Sequence, residues 1–165
     1  MPTTQADFDP YELLGALDRH RVTYIVIGAL ARVIHGSGEV TRGLDIVPST
    51  RPENVRRLQE AVNELRPEKS VDLDTDLFRS DVVELHTDRG VVRIVATPTG
   101  TRGYDDLRRA ANREPLGRGL RPSVASVGDL IRMLGALGRE QDLPPLHVLR
   151  RVAELERSRG IELTR

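Results

Sequence analysis

The residues able to do chemistry begin with Asp45, a lone carboxylate inside "TRGLDIVP", an apolar run that reads as a short buried strand. Alternate strand residues share a face, so two carboxylates spaced two apart can grip one metal ion. Two residues before Asp45 stands Gly43, which brings no ligand. A second set, Asp72, Asp74 and Asp76 in "VDLDTDLF", alternates as well. It reads as a strand or an acidic loop: either a replacement metal site or a solvated edge, with no glycine turn or distal ligand beside it. His20, His86 and His147 show no ligand spacing. His35, before Gly36, suits a helix end near the C-terminal dipole better than a pocket. The absence of cysteine excludes thiol nucleophiles, thiolate ligands and disulfides. Of 25 basic residues, Lys69 is the single lysine. Six arginines fall in residues 102–121, diluted by Asp105, Asp106 and Glu114, a composition that suits a solvated helix face.

These residues need a scaffold. At 165 residues, 38% hydrophobic and 30% charged, the chain fits one domain with one core. Aromatics are 3%, so Leu, Val, Ile and Ala must build that core. Net charge is zero, with 12 bases and 16 acids in residues 1–100 and 13 bases and 9 acids in residues 101–165. Bulk charge therefore points to neither nucleic acid nor membrane. No apolar run reaches a membrane span, and "MPTTQADFDPYE" lacks the features of a signal peptide, so the expected compartment is the cytoplasm.

The periodicity predicts a helix in "DPYELLGALDRH", a strand in "VTYIVIG", a short helix in "ALARVIHG" and a strand in "LDIVP". It then predicts an amphipathic helix in "RPENVRRLQEAVNEL" with Val55, Leu58, Val62 and Leu65 on one face. "VVELHT" and "VVRIVATP" flank "DRG" as a hairpin. "YDDLRRAAN" reads as a helix and "PSVAS" as a short extended piece. "SVGDLIRMLGALG" reads as a helix capped by Ser126, followed by a last helix from about Pro144. In that helix Leu143, Leu146, Leu149, Val152 and Leu155 form a candidate core face. The order fits a small α/β domain with a mixed sheet and a helical C-terminal end, the core in about residues 11–100 and the helical part in about 101–165.

Four fragments in order resemble the AbiEii/MenT-type toxins of the polymerase β-like nucleotidyltransferase superfamily. They are "VIGALARVIHG", "TRGLDIVP", "HTDRGVVRIVATPTGTRGYDDL" and "VASVGDLIRMLGALGREQDL", within roughly residues 11–150. The resemblance implies the nucleotidyltransferase fold and metal-assisted nucleotidyl transfer. It implies NTP phosphates at the Gly28–Ala29 turn, with Thr41 and Arg42 at the pocket lip, and two strand carboxylates plus a third on the neighbouring strand holding Mg²⁺. It further implies tRNA 3′ ends as acceptors, a silencing antitoxin as partner, and acceptor nucleic acid near Arg102, Arg108, Arg109 and Arg113.

The chain departs from that pattern where the chemistry is done. The first metal carboxylate falls on Gly43, the second on Asp45 and the third on Arg93; the phosphate-directed lysine falls on Leu134. Asp142 matches a family aspartate, and Ala29 replaces a glycine or serine. Asp45 and Asp142 are thus the surviving acids. A guanidinium about 4 Å from a divalent ion repels it by about 8 kcal/mol at an effective dielectric near 20. Arg93 is expected to fork onto Asp45 instead. The sequence reads as a degenerate nucleotidyltransferase without catalysis or cofactor, acting as a binding or regulatory protein with an antitoxin-like, RNA or nucleotide partner. The alternatives are an active enzyme, needing Mg²⁺ and an NTP at an atypical site, and an RNA-binding module.

Overall fold

The structure is a computed structural model that describes residues 8–163. Most of the N-terminal stretch read for targeting lies outside them. Helix α1 (Pro10–Arg19) starts where the Asp9 carboxylate accepts the backbone N–H groups of Tyr11 and Glu12, both at 3.1 Å, with Pro10 in its first turn. Leu13, Leu14 and Leu17 are its buried stripe. Strand β1 (Tyr24–Ile27) runs straight into α2 (Gly28–Ile34). Gly28 makes that abrupt turn at φ +72°, a left-handed conformation that favours glycine. Strand β2 (Gly43–Pro48) and helix α3 (Pro52–Leu65) follow, and α3 buries Val55, Leu58 and Val62.

Asn54 of α3 is buried and fully occupied. Its Oδ1 accepts the Thr23 N–H at 2.7 Å, and its Nδ2 donates to the Thr23 and Ser49 carbonyls at 2.9 and 2.7 Å. One amide thus fastens α3 to the start of β1 and the end of β2.

Residues 72–79 depart from the expected strand or loop. They form α4 (Leu73–Arg79), with Asp72 before its first turn and Asp74 and Asp76 within it. Acids there answer the unpaired N–H groups and the positive end of the helix, and the Asp72 N–H donates to Asp76 Oδ2 at 3.0 Å. Leu73 and Leu77, four apart, turn to the core. The alternation was therefore a helical pattern, and its carboxylates do not converge: among the described residues no group of three or more His, Asp or Glu is placed to hold a metal.

Strands β3 (Val82–Thr87) and β4 (Gly90–Val95) form the expected hairpin, closed by Thr87 Oγ1 donating to the Gly90 carbonyl at 2.8 Å. The expected helix after residue 103 lasts one turn, α5 (Tyr104–Leu107), before β5 (Asn112–Arg113) and β6 (Ser123–Val124). Ser126 caps α6 (Val127–Leu137), accepting the Asp129 N–H at 3.0 Å. A 3-10 turn (Glu140–Asp142) leads to α7 (Leu143–Leu163). On α7, Leu146 and Leu149 are buried, whereas Leu143 and Leu155 are exposed, which narrows the face expected from sequence.

The six strands stand in the order β3-β4-β2-β1-β6-β5. Pairs β1–β2, β3–β4 and β5–β6 are antiparallel; β2–β4 and β1–β6 are parallel. Register puts Val26, Leu44, Ile46, Val83, Leu85, Val92 and Ile94 on one face, all buried in the core. The opposite face carries Asp45, Arg93 and Glu84.

Candidate functional site

The strand register assembles a charged row. Ile27 pairs with Asp45, Asp45 with Arg93, and Arg93 with Glu84, so one line of side chains crosses β1, β2, β4 and β3. Next to it, Gly43, Val91 and His86 form a second row on the same face. A cavity of about 250 Å³ opens beside Asp45. Gly28, Ala29 and Arg32 from the start of α2, Arg93, Leu134 of α6 and Arg139 line it with Asp45. The lining draws on both ends of the chain, from Ile27 to Arg139: β1–β6 pairing brings α6 over the end of β1, and His35 Nε2 bonds the Ala125 carbonyl at 2.9 Å, tying α2 to the approach of α6.

Asp45 is largely buried and, among the described residues, accepts no hydrogen bond and closes no ion pair. Burial pushes its carboxyl above the ordinary carboxylate range; the Arg93 and Arg32 guanidinia pull the other way. Its side chain lies against Gly28, where an added Cβ would collide with the carboxylate. Gly28 is therefore needed twice, for its backbone conformation and for this close approach.

The expected fork of Arg93 onto Asp45 does not form. Arg93 Nε instead donates to Glu84 Oε2 at 3.2 Å, and His86 Nε2 lies 3.0 Å from the other Glu84 oxygen. The physical reason is register: Glu84 stands directly across the hairpin at the solvent-facing side, where both side chains pair without desolvation, whereas reaching Asp45 would bury the guanidinium.

The two other cavity arginines are likewise held from outside. Arg32 grips Glu39 with Nε and Nη2, both at 2.8 Å, and Ser37 Oγ donates to the same carboxylate at 2.7 Å. These bonds hold the Glu39 carboxyl below its ordinary range. Arg139 grips Asp142 at 2.6 and 3.1 Å. Asp142, expected as a remnant catalytic acid, does not line the cavity; it is a buried anchor for Arg139. Thr41 and Arg42 also lie outside the cavity lining. Arg102, Arg108, Arg109 and Arg113 are exposed and likewise absent from the lining.

Sequence reasoning missed Arg32 and Arg139. Arg32 was legible in one respect: it stands four residues after Gly28, hence on the same side of α2. Arg139 follows the left-handed Gly138 that ends α6, and only the packing of that turn aims it inward.

Two features bear on Mg²⁺. A Cβ on Gly43 would sit 2.9 Å from the Val91 carbonyl oxygen, so β2 and β4 have closed over that position. Arg93 fills the adjacent place in the row. Among the described residues the cavity lining offers one carboxylate, Asp45, beside three arginines, a donor set poor in the oxygen ligands a divalent cation takes.

This sheet, with its strand running directly into a glycine-started helix, is the nucleotidyltransferase fold. Solved structures similar to this chain carry that fold at low identity. A Thermotoga maritima protein assigned as a nucleotidyltransferase is 18% identical, covering 93% of this chain and 90% of its own at a TM-score of 0.56. The antibiotic-resistance factor ANT(2″)-Ia is 11% identical over 93% and 92%, with a TM-score of 0.59. The lincosamide antibiotic adenylyltransferase LnuA, solved with lincomycin, is 14% identical over 88% and 99%, with a TM-score of 0.62. No protein-family model matches the chain, and no curated protein matches it with significance.

Proposed function

We propose that this protein is a nucleotidyltransferase-fold binding protein that takes the phosphates of a nucleotide into the Asp45 cavity without metal and without transferring them. The observation that carries this reading is the row Asp45–Arg93–Glu84: a guanidinium occupies the strand position beside Asp45 that a metal-binding carboxylate would need. Arg32, Arg93 and Arg139 supply the cations that Mg²⁺ would otherwise provide. A guanidinium already engaged through two nitrogens retains further N–H donors for a phosphate oxygen. The apolar wall of Leu130, Met133, Leu134 and Leu137 offers a surface for the base or sugar. The resemblance to AbiEii/MenT-type proteins gives the setting, a regulatory role in a toxin–antitoxin-like system with a protein partner.

The test has two arms. Calorimetric titration with ATP and CTP in EDTA is expected to give binding that Arg32→Gln together with Arg93→Gln abolishes. Incubation with α-labelled NTPs, Mg²⁺ or Mn²⁺ and total tRNA is expected to give no transfer. Transfer that Asp45→Ala removes would establish the active-enzyme reading and end this one.

A further inference from the structure

At the other end of β1 from Asp45, two open grooves of about 420 and 590 Å³ meet along a shared rim formed by Thr23 and Tyr104. Neither shares a lining residue with the Asp45 cavity. Six arginines converge on them: Arg51, Arg57 and Arg108 in the smaller, Arg21, Arg113 and Arg121 in the larger. They come from distant parts of the chain, namely the turn after α1, the start of α3, the segment after α5, strand β5 and the approach to β6.

Three carboxylates share these grooves, and all three are already engaged. Asp18 accepts the Tyr24 hydroxyl at 2.9 Å, Glu53 pairs with Arg57 at 3.2 Å, and Asp105 pairs with Arg108 at 3.3 Å. Arg21, Arg51, Arg113 and Arg121 form no ion pair among the described residues, in contrast to the three arginines of the Asp45 cavity. Arg21 also occupies a left-handed position, φ +56°, just past the end of α1, where glycine is ordinarily favoured.

We infer that this double groove is a docking surface for the phosphodiester backbone of a single-stranded nucleic acid. The unpaired guanidinia match phosphate oxygens through their forked donors. The Tyr104 side chain on the shared rim packs partly against the core and leaves the rest facing the grooves, an aromatic surface a base could contact beside the guanidinia. An acidic protein segment would use the charge but not the ring. The arginines read from sequence divide accordingly: Arg108 and Arg113 belong to the surface, and Arg102 and Arg109 do not line it.

The experiment is fluorescence anisotropy with a fluorescein-labelled 15-nucleotide RNA of mixed sequence, and the DNA of the same sequence, in EDTA without nucleotide. Binding is expected to weaken with salt at a log–log slope of about −3, the value for four or five phosphates on a single strand. The quadruple change of Arg21, Arg51, Arg113 and Arg121 to Gln is expected to cost at least about tenfold in affinity and flatten the slope. Arg79→Gln, at an exposed site on α4, is expected to change neither. Equal binding of RNA and DNA identifies the backbone alone as the ligand; preference for RNA adds the 2′-hydroxyl. Arg21→Gly guards against misfolding of the quadruple variant, since it relaxes the backbone while removing a contact: it is expected to keep the melting temperature and weaken binding about threefold. No binding of either oligonucleotide at about 50 mM salt, an unchanged slope in a folded quadruple variant, or competition by polyglutamate as effective as by RNA would each overturn the inference.

Discussion

Replacing Asp45 with Asn separates the two chemistries this fold could run. The substitution keeps the shape of the side chain and removes its charge. In a metal-dependent site it would eliminate the central ligand. In a cavity where three arginines take the phosphates, it removes the one repulsive group. A carboxylate roughly 8 Å from a unit negative charge repels it by about 2 kcal/mol at an effective dielectric near 20. Screening over a Debye length of about 8 Å at physiological salt leaves roughly 0.8 kcal/mol per charge. The two nearest phosphate charges together give about 1.5 kcal/mol, or about tenfold in affinity. Calorimetric titration of wild type and Asp45→Asn with ATP in EDTA reads this directly. The pH dependence supplies an internal check. Burial raises the Asp45 carboxyl, so lowering the pH through that raised value neutralises it in the native cavity. Wild-type affinity is expected to rise toward that of the variant as pH falls, and comparison with the variant cancels the titration of ATP itself. Weaker binding by Asp45→Asn, or a pH profile identical in the two proteins, would show that the Asp45 carboxylate does not repel the phosphates.

Gly43→Asp, the obvious repair of the metal site, is expected to destabilise by about 1–3 kcal/mol, because its Cβ meets the Val91 carbonyl oxygen at 2.9 Å; thermal melting checks it, at about 2–4 °C per kcal/mol for a chain of this size. Gly28→Ala is expected to cost at least as much, through φ +72° and collision with the Asp45 carboxylate, and Asp45→Asn will not rescue it in a thermal melt, since the clash is steric. The Arg32–Glu39 pair has a defined pH signature. Glu39 is depressed in the native state, so its stabilisation is present above the unfolded glutamate value near 4.3 and is lost as pH falls through the lower native value. Urea unfolding of Glu39→Gln is expected to show a deficit on the order of 1 kcal/mol at about pH 7 that closes as pH falls through the lowered native value.

Most elements were legible because they rest on local physics. Apolar spacing gave α1, α3 and α6, turn chemistry gave the β3–β4 hairpin, and Ser126 announced its own helix. Residues 72–79 failed because alternation of acids and leucines is ambiguous over so few residues; whether Leu73 and Leu77 bury together depends on the core they meet. The short α5 failed for a related reason. The segment after Leu107 turns away to pair β5 with β6, a contact that no local pattern encodes.

At the site, composition was legible from the residues alone: one carboxylate at Asp45, glycine at 43 and arginine at 93. Strand periodicity even fixed which face each would take. Partnership came from the fold. Arg93 faces both Asp45 and Glu84 across adjacent strands, and solvent exposure on the Glu84 side settles its ion pair there. Arg32 and Arg139 enter the cavity through packing of α2 and the turn after α6, which sequence neighbours do not specify. The same holds for the arginines at the far end of β1, scattered in sequence and joined by the sheet. Charge is a property of residues, but its field belongs to the fold, because Coulomb energies depend on distances that only the folded chain sets.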